Sequence, residues 1–419
     1  MLDIVAVLLT LTATFSYLNH RYLRWPMTIG VMTIALAVSL AVIVLDHLGF
    51  ATLRGHEHAL LKSIDFTDVL LQGMLSFLLF AGALHIDLRQ LRRVAWQVGA
   101  LALVGTALST LIIGFCSQYL LGALGIAIPL VWCLLFGALI SPTDPIAVLG
   151  VLKSARVPES VEATIAGESL INDGVGVVFF TLLFEMLRTG TTPTLDAGLA
   201  LFAREALGGA LYGIVVGYAV YRVLRTIDAP QIEILITLAT VVAGYALAHA
   251  LGVSGPLAMV AIGLLIGNEG RAHAMSARTR ERLDMFWQLV DEILNGVLFV
   301  LIGLEVAVIA FPPGSLVALI LVVALCVLAR FLVVGLPASA KLHWFGLPPG
   351  SGLLMTWSGV RGGISVALAL SLPPGPERNL ILMFTYSVVV FSIVVQGLTV
   401  GRVARALGLV AQGRPHHHR

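Results

Sequence analysis

The sequence predicts an all-α polytopic membrane protein of about thirteen transmembrane helices, arranged as an inverted repeat around two interrupted spans. Three observations predict it. Of 419 residues, 58% are hydrophobic and 11% charged, with a mean hydropathy of +0.99, a balance that leaves little room for a soluble domain. Apolar runs of about 20 residues recur from end to end, each long enough to cross a ~30 Å hydrocarbon core. Two of those runs are broken by proline or glycine at corresponding points of the two halves.

The spans fall near 4–18, 27–45, 66–86, 94–120, 128–153, 160–187, 198–223, 231–250, 254–267, 284–304, 315–339, 350–372 and 379–404. The run over 5–18 has neither a basic leader nor a small-residue cleavage site, so it reads as a span and not a removable signal. Breakers punctuate the connections: Trp25-Pro26, Thr192-Pro193, Pro312-Pro313-Gly314, Pro348-Pro349-Gly350 and Pro373-Pro374-Gly375. The three cysteines, Cys116, Cys133 and Cys326, lie inside apolar runs and read as small packing residues, not a disulfide or metal framework.

Basic residues set the orientation. With the N-terminus outside, eighteen of the 25 Lys and Arg residues fall in inside segments, five (Arg54, Lys62, Arg188, Arg204 and Arg378) in outside ones, and Arg330 and Arg361 within spans. The topology is therefore N-terminus out, C-terminus cytoplasmic. The net charge of +2 gives no reason to expect a nucleic-acid partner; the surrounding partner is the lipid bilayer. The ending over 411–419, with three histidines, reads as a short cytoplasmic tail, although three histidines could also hold a metal weakly.

Inside the sixth span lies GESLINDGVGVV, residues 167–178. A carboxylate at such a depth costs about 2.5–3.5 kcal/mol on insertion scales. On a helix, Glu168 and Asn172 form one polar stripe and Ser169 and Asp173 a second beside it. Two adjoining polar stripes suit a helix facing a protein interior or a water-filled cavity. Ser and Asn often do no more than join neighbouring helices, and Asn172 alone fits either reading; Asp173 with Glu168 so near points to function.

The fifth span breaks at Ser141-Pro142-Thr143-Asp144-Pro145, where Pro145 removes a backbone donor and disfavours helix at the residue before it. The twelfth breaks at Ser358-Gly359-Val360-Arg361-Gly362-Gly363. Spans one to six and eight to thirteen would then be repeats of opposite topology joined by span seven, and paired broken helices in such repeats mark a transporter's midplane site. At a break, half-helix ends expose amides and carbonyls; Asp144 is placed to balance N-terminal dipoles and Arg361 C-terminal ones. Two ordinary kinks are the alternative, and opposite charges at matched positions argue against it.

These stretches together, SPTDPIAVLGVLK (141–153), GESLINDGVGVV (167–178), the intramembrane LAR at 328–330 and WSGVRGGISVALAL (357–370), resemble the signatures of sodium/proton exchangers of the monovalent cation:proton antiporter family, in its Asn-Asp branch. The resemblance spans nearly the whole membrane domain. It implies thirteen helices, two crossed broken helices, a dimerisation scaffold over 1–93 and 191–310 (the latter opening with the linker helix), a mobile ion-transporting core over 94–190 and 311–410, a homodimer, and a location in the cell (inner) membrane. It further implies that Asp173 binds cation or proton, that Ser169 and Thr143 help ligate the transported Na⁺, and that Asn172 orients or gates beside them. Glu168 would pair with Arg330 as a structural ion bridge, and Asp144 and Arg361 would sit at the breaks. His85, at the end of the third span, takes no role from the resemblance, and the chain stops soon after its last span where many relatives carry a long regulatory tail.

The residues support the same chemistry independently. Burial favours the protonated form of a carboxylate and a bound cation favours the ionised form, so the two compete for one site. Oxygen ligands suit a small hard cation such as Na⁺ or Li⁺ and no cofactor is called for; a K⁺/H⁺ antiporter of the same fold remains an alternative. Arginine stays protonated, so Glu168 paired with Arg330 contributes no second exchangeable proton. A channel would need no trapped carboxylate pair. A rival from enzymology is an intramembrane serine protease using Ser254 in Gly252-Val253-Ser254-Gly255, but the histidines that follow it are His273, His343 and those of the tail, all cytoplasmic by this topology and away from Ser254.

Overall fold

The computed structural model describes residues 2–47, 73–190, 195–305, 315–339 and 346–410. The tail over 411–419, the breakers Thr192-Pro193 and Pro312-Pro313-Gly314, the first part of the span at 66–86, and Arg54, Lys62, Lys341 and His343 lie outside those residues. Among the described residues the secondary structure is helical, without strands.

The first part of the chain forms α1 (Leu2–Leu18), α2 (Met27–His47), α3 (Leu75–Leu84) and the short α4 (Leu88–Arg93). Arg24 takes a left-handed φ of 56° and donates its N–H to Asn19 O at 2.7 Å, which turns the chain from α1 into α2. Asp87 caps α4 by accepting the Arg89 N–H at 2.7 Å. Next come α5 (Ala95–Ala123), the half-helices α6 (Leu130–Ile140) and α7 (Ile146–Ala155), and α8 (Glu159–Thr189). α8 starts straight after Pro158, carries Glu159 and Glu162 in its first turn, and ends at Gly190 in the left-handed region.

The second part comprises α9 (Leu195–Leu224), α10 (Pro230–Ala250), α11 (Gly255–Leu265), α12 (Ala277–Glu305), α13 (Leu316–Ser339), the half-helices α14 (Ser351–Trp357) and α15 (Gly363–Leu370), and α16 (Pro376–Ala406). The spans expected from the sequence fall on these elements, and the two expected breaks are the non-helical backbone between α6 and α7 and between α14 and α15. Eight helices among the described residues are long and apolar enough to cross a membrane by length and composition alone, which makes the chain a multi-pass membrane protein.

α2 packs on α12, and α11 packs on α3, α9 and α10. Gly263 in α11 and Gly267 in the π turn that follows it let this stretch approach α3 closely, since a Cβ on Gly263 would lie 2.7 Å from Phe80 O and one on Gly267 would overlap Leu84 O. Elsewhere α5 and α8 pack on α6, α13 on α5, and α15 and α13 on α16. The larger apolar cluster runs through this second group and takes in Ile29, Met32 and Phe299 from α2 and α12; a smaller one, around Phe80, Met259 and Trp287, joins α3, α9, α10, α11 and the first part of α12. Cys133 and Cys326 are buried in the larger cluster, as a packing role requires, whereas Cys116 is exposed. α5 and α13 widen into π geometry at 101–105 and 331–335, and a Cβ on Gly105 would come within 3.4 Å of Val333 Cγ1. The second widening begins straight after Arg330, a placement common for π turns at functional sites.

Candidate ion-binding site

The two breaks meet. The Asp144 N–H donates to Val360 O at 2.7 Å, joining backbone that neither half-helix can satisfy itself. Arg361, 3% exposed, donates from its guanidinium to Ser141 O and to Pro142 O, the latter at 2.9 Å. A cation thus closes the carboxyl end of α6, where the helix dipole is negative. The Asp144 carboxylate lies against the amino end of α15, so near Gly362 that a Cβ there would overlap it. Each break supplies the charge that the other's helix end calls for. Arg361 is held from behind as well, its N–H donating to Ser392 Oγ of α16 at 3.0 Å.

α8 passes beside this crossing with its polar stripes turned toward it. Glu168, 1% exposed, receives both terminal nitrogens of Arg330 from α13, with Nη2 to Oε2 at 2.7 Å and Nη1 to Oε1. One turn on, Asn172 Nδ2 donates to Thr143 Oγ1 at 3.0 Å and to Glu168 Oε1 at 3.3 Å, while its Oδ1 accepts the Thr143 N–H at 3.2 Å. Thr143 Oγ1 also shares a hydrogen bond of 2.8 Å with Ser169 Oγ. Thr143, Ser169, Asn172, Glu168 and Arg330 form one connected network that pins the first break to α8.

Asp173 is the member left over. It is 8% exposed and borders a cavity of about 70 Å³ that Thr143, Asp144, Asn295 and Ser365 also line, a volume that admits several waters. Among the described residues no hydrogen bond or ion pair to the Asp173 carboxylate is found; the charged groups acting on it are Asp144, Glu168 and Arg361. Ser169 does not border the cavity and reaches it through Thr143. Among the described residues no cluster of three His, Cys, Asp or Glu side chains has the spacing of a resident metal site.

Two other residues singled out in the sequence have structural partners. His85 Nδ1 lies 2.8 Å from Ala81 O. Ser254 Oγ accepts the Leu257 N–H at 3.3 Å as the cap of α11. His249 borders the same cavity as Ser254 but precedes it in the chain, and no hydrogen bond joins the two, so the arrangement lacks the nucleophile–base contact a hydrolase needs. Asn295, Ser365 and Ser392 belong to the site and were not singled out by sequence reasoning. Asn295 sits four residues after Asp291, but both follow the charged start of α12, which hides them in the sequence.

Two interrupted helices crossing beside a buried carboxylate that has no partner among the described residues define an ion transporter of the secondary type, not an enzyme. A family model described as "Sodium/hydrogen exchanger, transmembrane" matches residues 7–406. The chain belongs to the sodium/hydrogen exchanger family. It is 48% identical over 412 residues to the Na⁺/H⁺ antiporter NhaP of Pseudomonas aeruginosa, covering 97% of each chain. It is 32% identical over 414 residues to the Na⁺/H⁺ antiporter NhaH of Halobacillus dabanensis, covering 97% of this chain and 98% of that one. Among solved structures, the sodium proton antiporter MjNhaP1 of Methanocaldococcus jannaschii shares the fold, with a TM-score of 0.75 at 19% identity over 97% of this chain and 98% of that one.

Proposed function

We propose that this chain exchanges Na⁺ (or Li⁺) for H⁺ across the cell membrane by alternating access, with cation and proton competing for Asp173. The observation that carries the reading is the contrast between two carboxylates five residues apart. Glu168 is neutralised and fixed by Arg330, whereas Asp173 borders the cavity with no hydrogen-bond or ion-pair partner among the described residues. A site that must release a proton to take a cation needs a carboxylate of the second kind. Thr143 supplies hydroxyl and carbonyl oxygen nearby, Ser169 and Asn172 hold Thr143 in place, and water completes the shell of a small hard cation.

The transporting core comprises residues 94–190 and 311–410, and the scaffold 1–93 and 191–310. The chain crosses the bilayer about thirteen times, with the N-terminus outside and the C-terminus cytoplasmic, as its basic residues favour. Two copies pair through the scaffold, and native mass spectrometry from detergent reads whether the chain is a dimer. No cofactor enters the cycle. Proteoliposomes holding an internal pH dye test the function: an outward Na⁺ or Li⁺ gradient acidifies the lumen with saturating kinetics, and K⁺ produces little response. Equal responses to all three ions, or flux linear in concentration, would contradict it.

A further inference from the structure

The cavity beside Asp173 has two unlike walls. One, built from α8 and the two breaks, carries Thr143, Asp144, Asp173 and Ser365. The other, built from α3 and α12, is lined by leucines and Gly82 with one polar side chain among the described residues, Asn295. Asn295 is 2% exposed. Its Nδ2 donates to Asp291 O at 2.9 Å and to Asp291 Oδ1 at 3.1 Å, one turn earlier on α12. Its Oδ1 is buried with no hydrogen-bond partner among the described residues. Turning the amide over would set that oxygen against the two Asp291 oxygens, so the hydrogen bonds fix which end faces outward. From the opposite wall, the buried Ser365 Oγ likewise lacks a partner.

An unpartnered buried carbonyl oxygen is costly unless a water or a cation meets it. We infer that Asn295 and Asp291 form a second, weaker position for the transported monovalent cation, in which Asn295 Oδ1, the Asp291 carboxylate and water hold Na⁺ or Li⁺ before it passes to Asp173. The inference rests on the exchange reading above. It assigns α12 a task that the core cannot perform for itself: an otherwise leucine-lined wall offers a dehydrating ion nothing, and one amide oxygen backed by a carboxylate replaces part of its water shell. Asp144 is among the charges acting on Asp291, so the pair lies within electrostatic reach of the crossing. In the proposed topology α12 runs from the cytoplasm outward, which puts Asp291 one turn to the cytoplasmic side of Asn295; Asn295, not Asp291, borders the cavity.

Two measurements test this, on the full chain in each case. In proteoliposomes, Asp291→Asn and Asn295→Ala raise the Na⁺ KM measured from the cytoplasmic face about five- to tenfold while the maximal rate stays within about twofold, and Asn295→Leu, which keeps the side chain's bulk without its oxygen, does the same. A packing role alone would lower the melting temperature and the maximal rate and leave KM in place. In detergent, Asp173→Asn retains weak Na⁺ binding by calorimetry, and Asp173→Asn/Asp291→Asn loses it. Unchanged KM in these single variants, or Na⁺ binding to Asp173→Asn that persists when Asp291→Asn is added, overturns the inference. If wild type moves no protons in response to Na⁺, the exchange reading fails, and the binding measurement still decides whether Asp291 and Asn295 hold a cation.

Discussion

Asp173→Asn abolishes Na⁺-dependent proton movement while expression, melting temperature and helical content stay near wild type. The amide matches the carboxylate in size but cannot trade a proton for a cation, so the loss is of exchange itself and not of a fraction of it. Stability is preserved because no hydrogen bond or ion pair to Asp173 is found among the described residues, and an unmade contact cannot be lost. Activity is read as quenching of an internal pH dye in proteoliposomes and folding as thermal melting of the same preparation. Substantial Na⁺-driven proton flux in the folded variant would remove Asp173 from the mechanism.

Glu168 and Arg330 give the opposite pattern. Both are almost fully buried, and they meet through two parallel hydrogen bonds that match the guanidinium's two terminal nitrogens to both carboxylate oxygens. Arg330→Gln leaves an uncompensated buried carboxylate, and Glu168→Gln an uncompensated guanidinium; by analogy with buried pairs in water-soluble proteins each costs about 3–5 kcal/mol. The double variant Glu168→Gln/Arg330→Gln recovers part of that loss, because neither charge is then stranded. A thermal double-mutant cycle measures it, and additive melting shifts would mean the two residues do not act as a pair.

Much of this site was legible in the chain because a membrane makes charge conspicuous. Glu168, Asp173, Arg330 and Arg361 stand in apolar runs where each needs a reason, and Pro145 and the glycines at 359 and 362 mark where the helices break. What stayed hidden has a physical cause in each case. The bond from Asp144 N–H to Val360 O joins two breaks through backbone atoms, which no residue type announces. The π turn after Arg330 has no side-chain signature. Ser365 resembles any serine in a membrane helix, most of which bond their own preceding turn, and only the structure leaves its hydroxyl facing a cavity without a partner. Asp291 and Asn295 were masked by company: Glu281, Asp284 and Glu292 precede or flank them on α12, so the stretch looks like the solvated end of a helix.

The central claim is that one exchangeable carboxylate handles both ions. Asn172 offers no proton, Arg330 does not release one, Asp291 only passes the cation on and ends each cycle in the charge state in which it began, and Asp173 carries at most one, so one monovalent cation exchanges for one proton and no net charge moves. The direct measurement is Na⁺-driven proton flux in sealed proteoliposomes with membrane potentials of either sign imposed by K⁺ and valinomycin, once K⁺ is shown not to be a substrate. Rates that stay the same at both signs, and a reversal point where the Na⁺ and H⁺ gradients are equal, are the expected result. Rates that change several-fold with the sign of the potential, or a displaced reversal point, would mean that a second charge moves with each cycle and would contradict the assignment of Glu168 to Arg330.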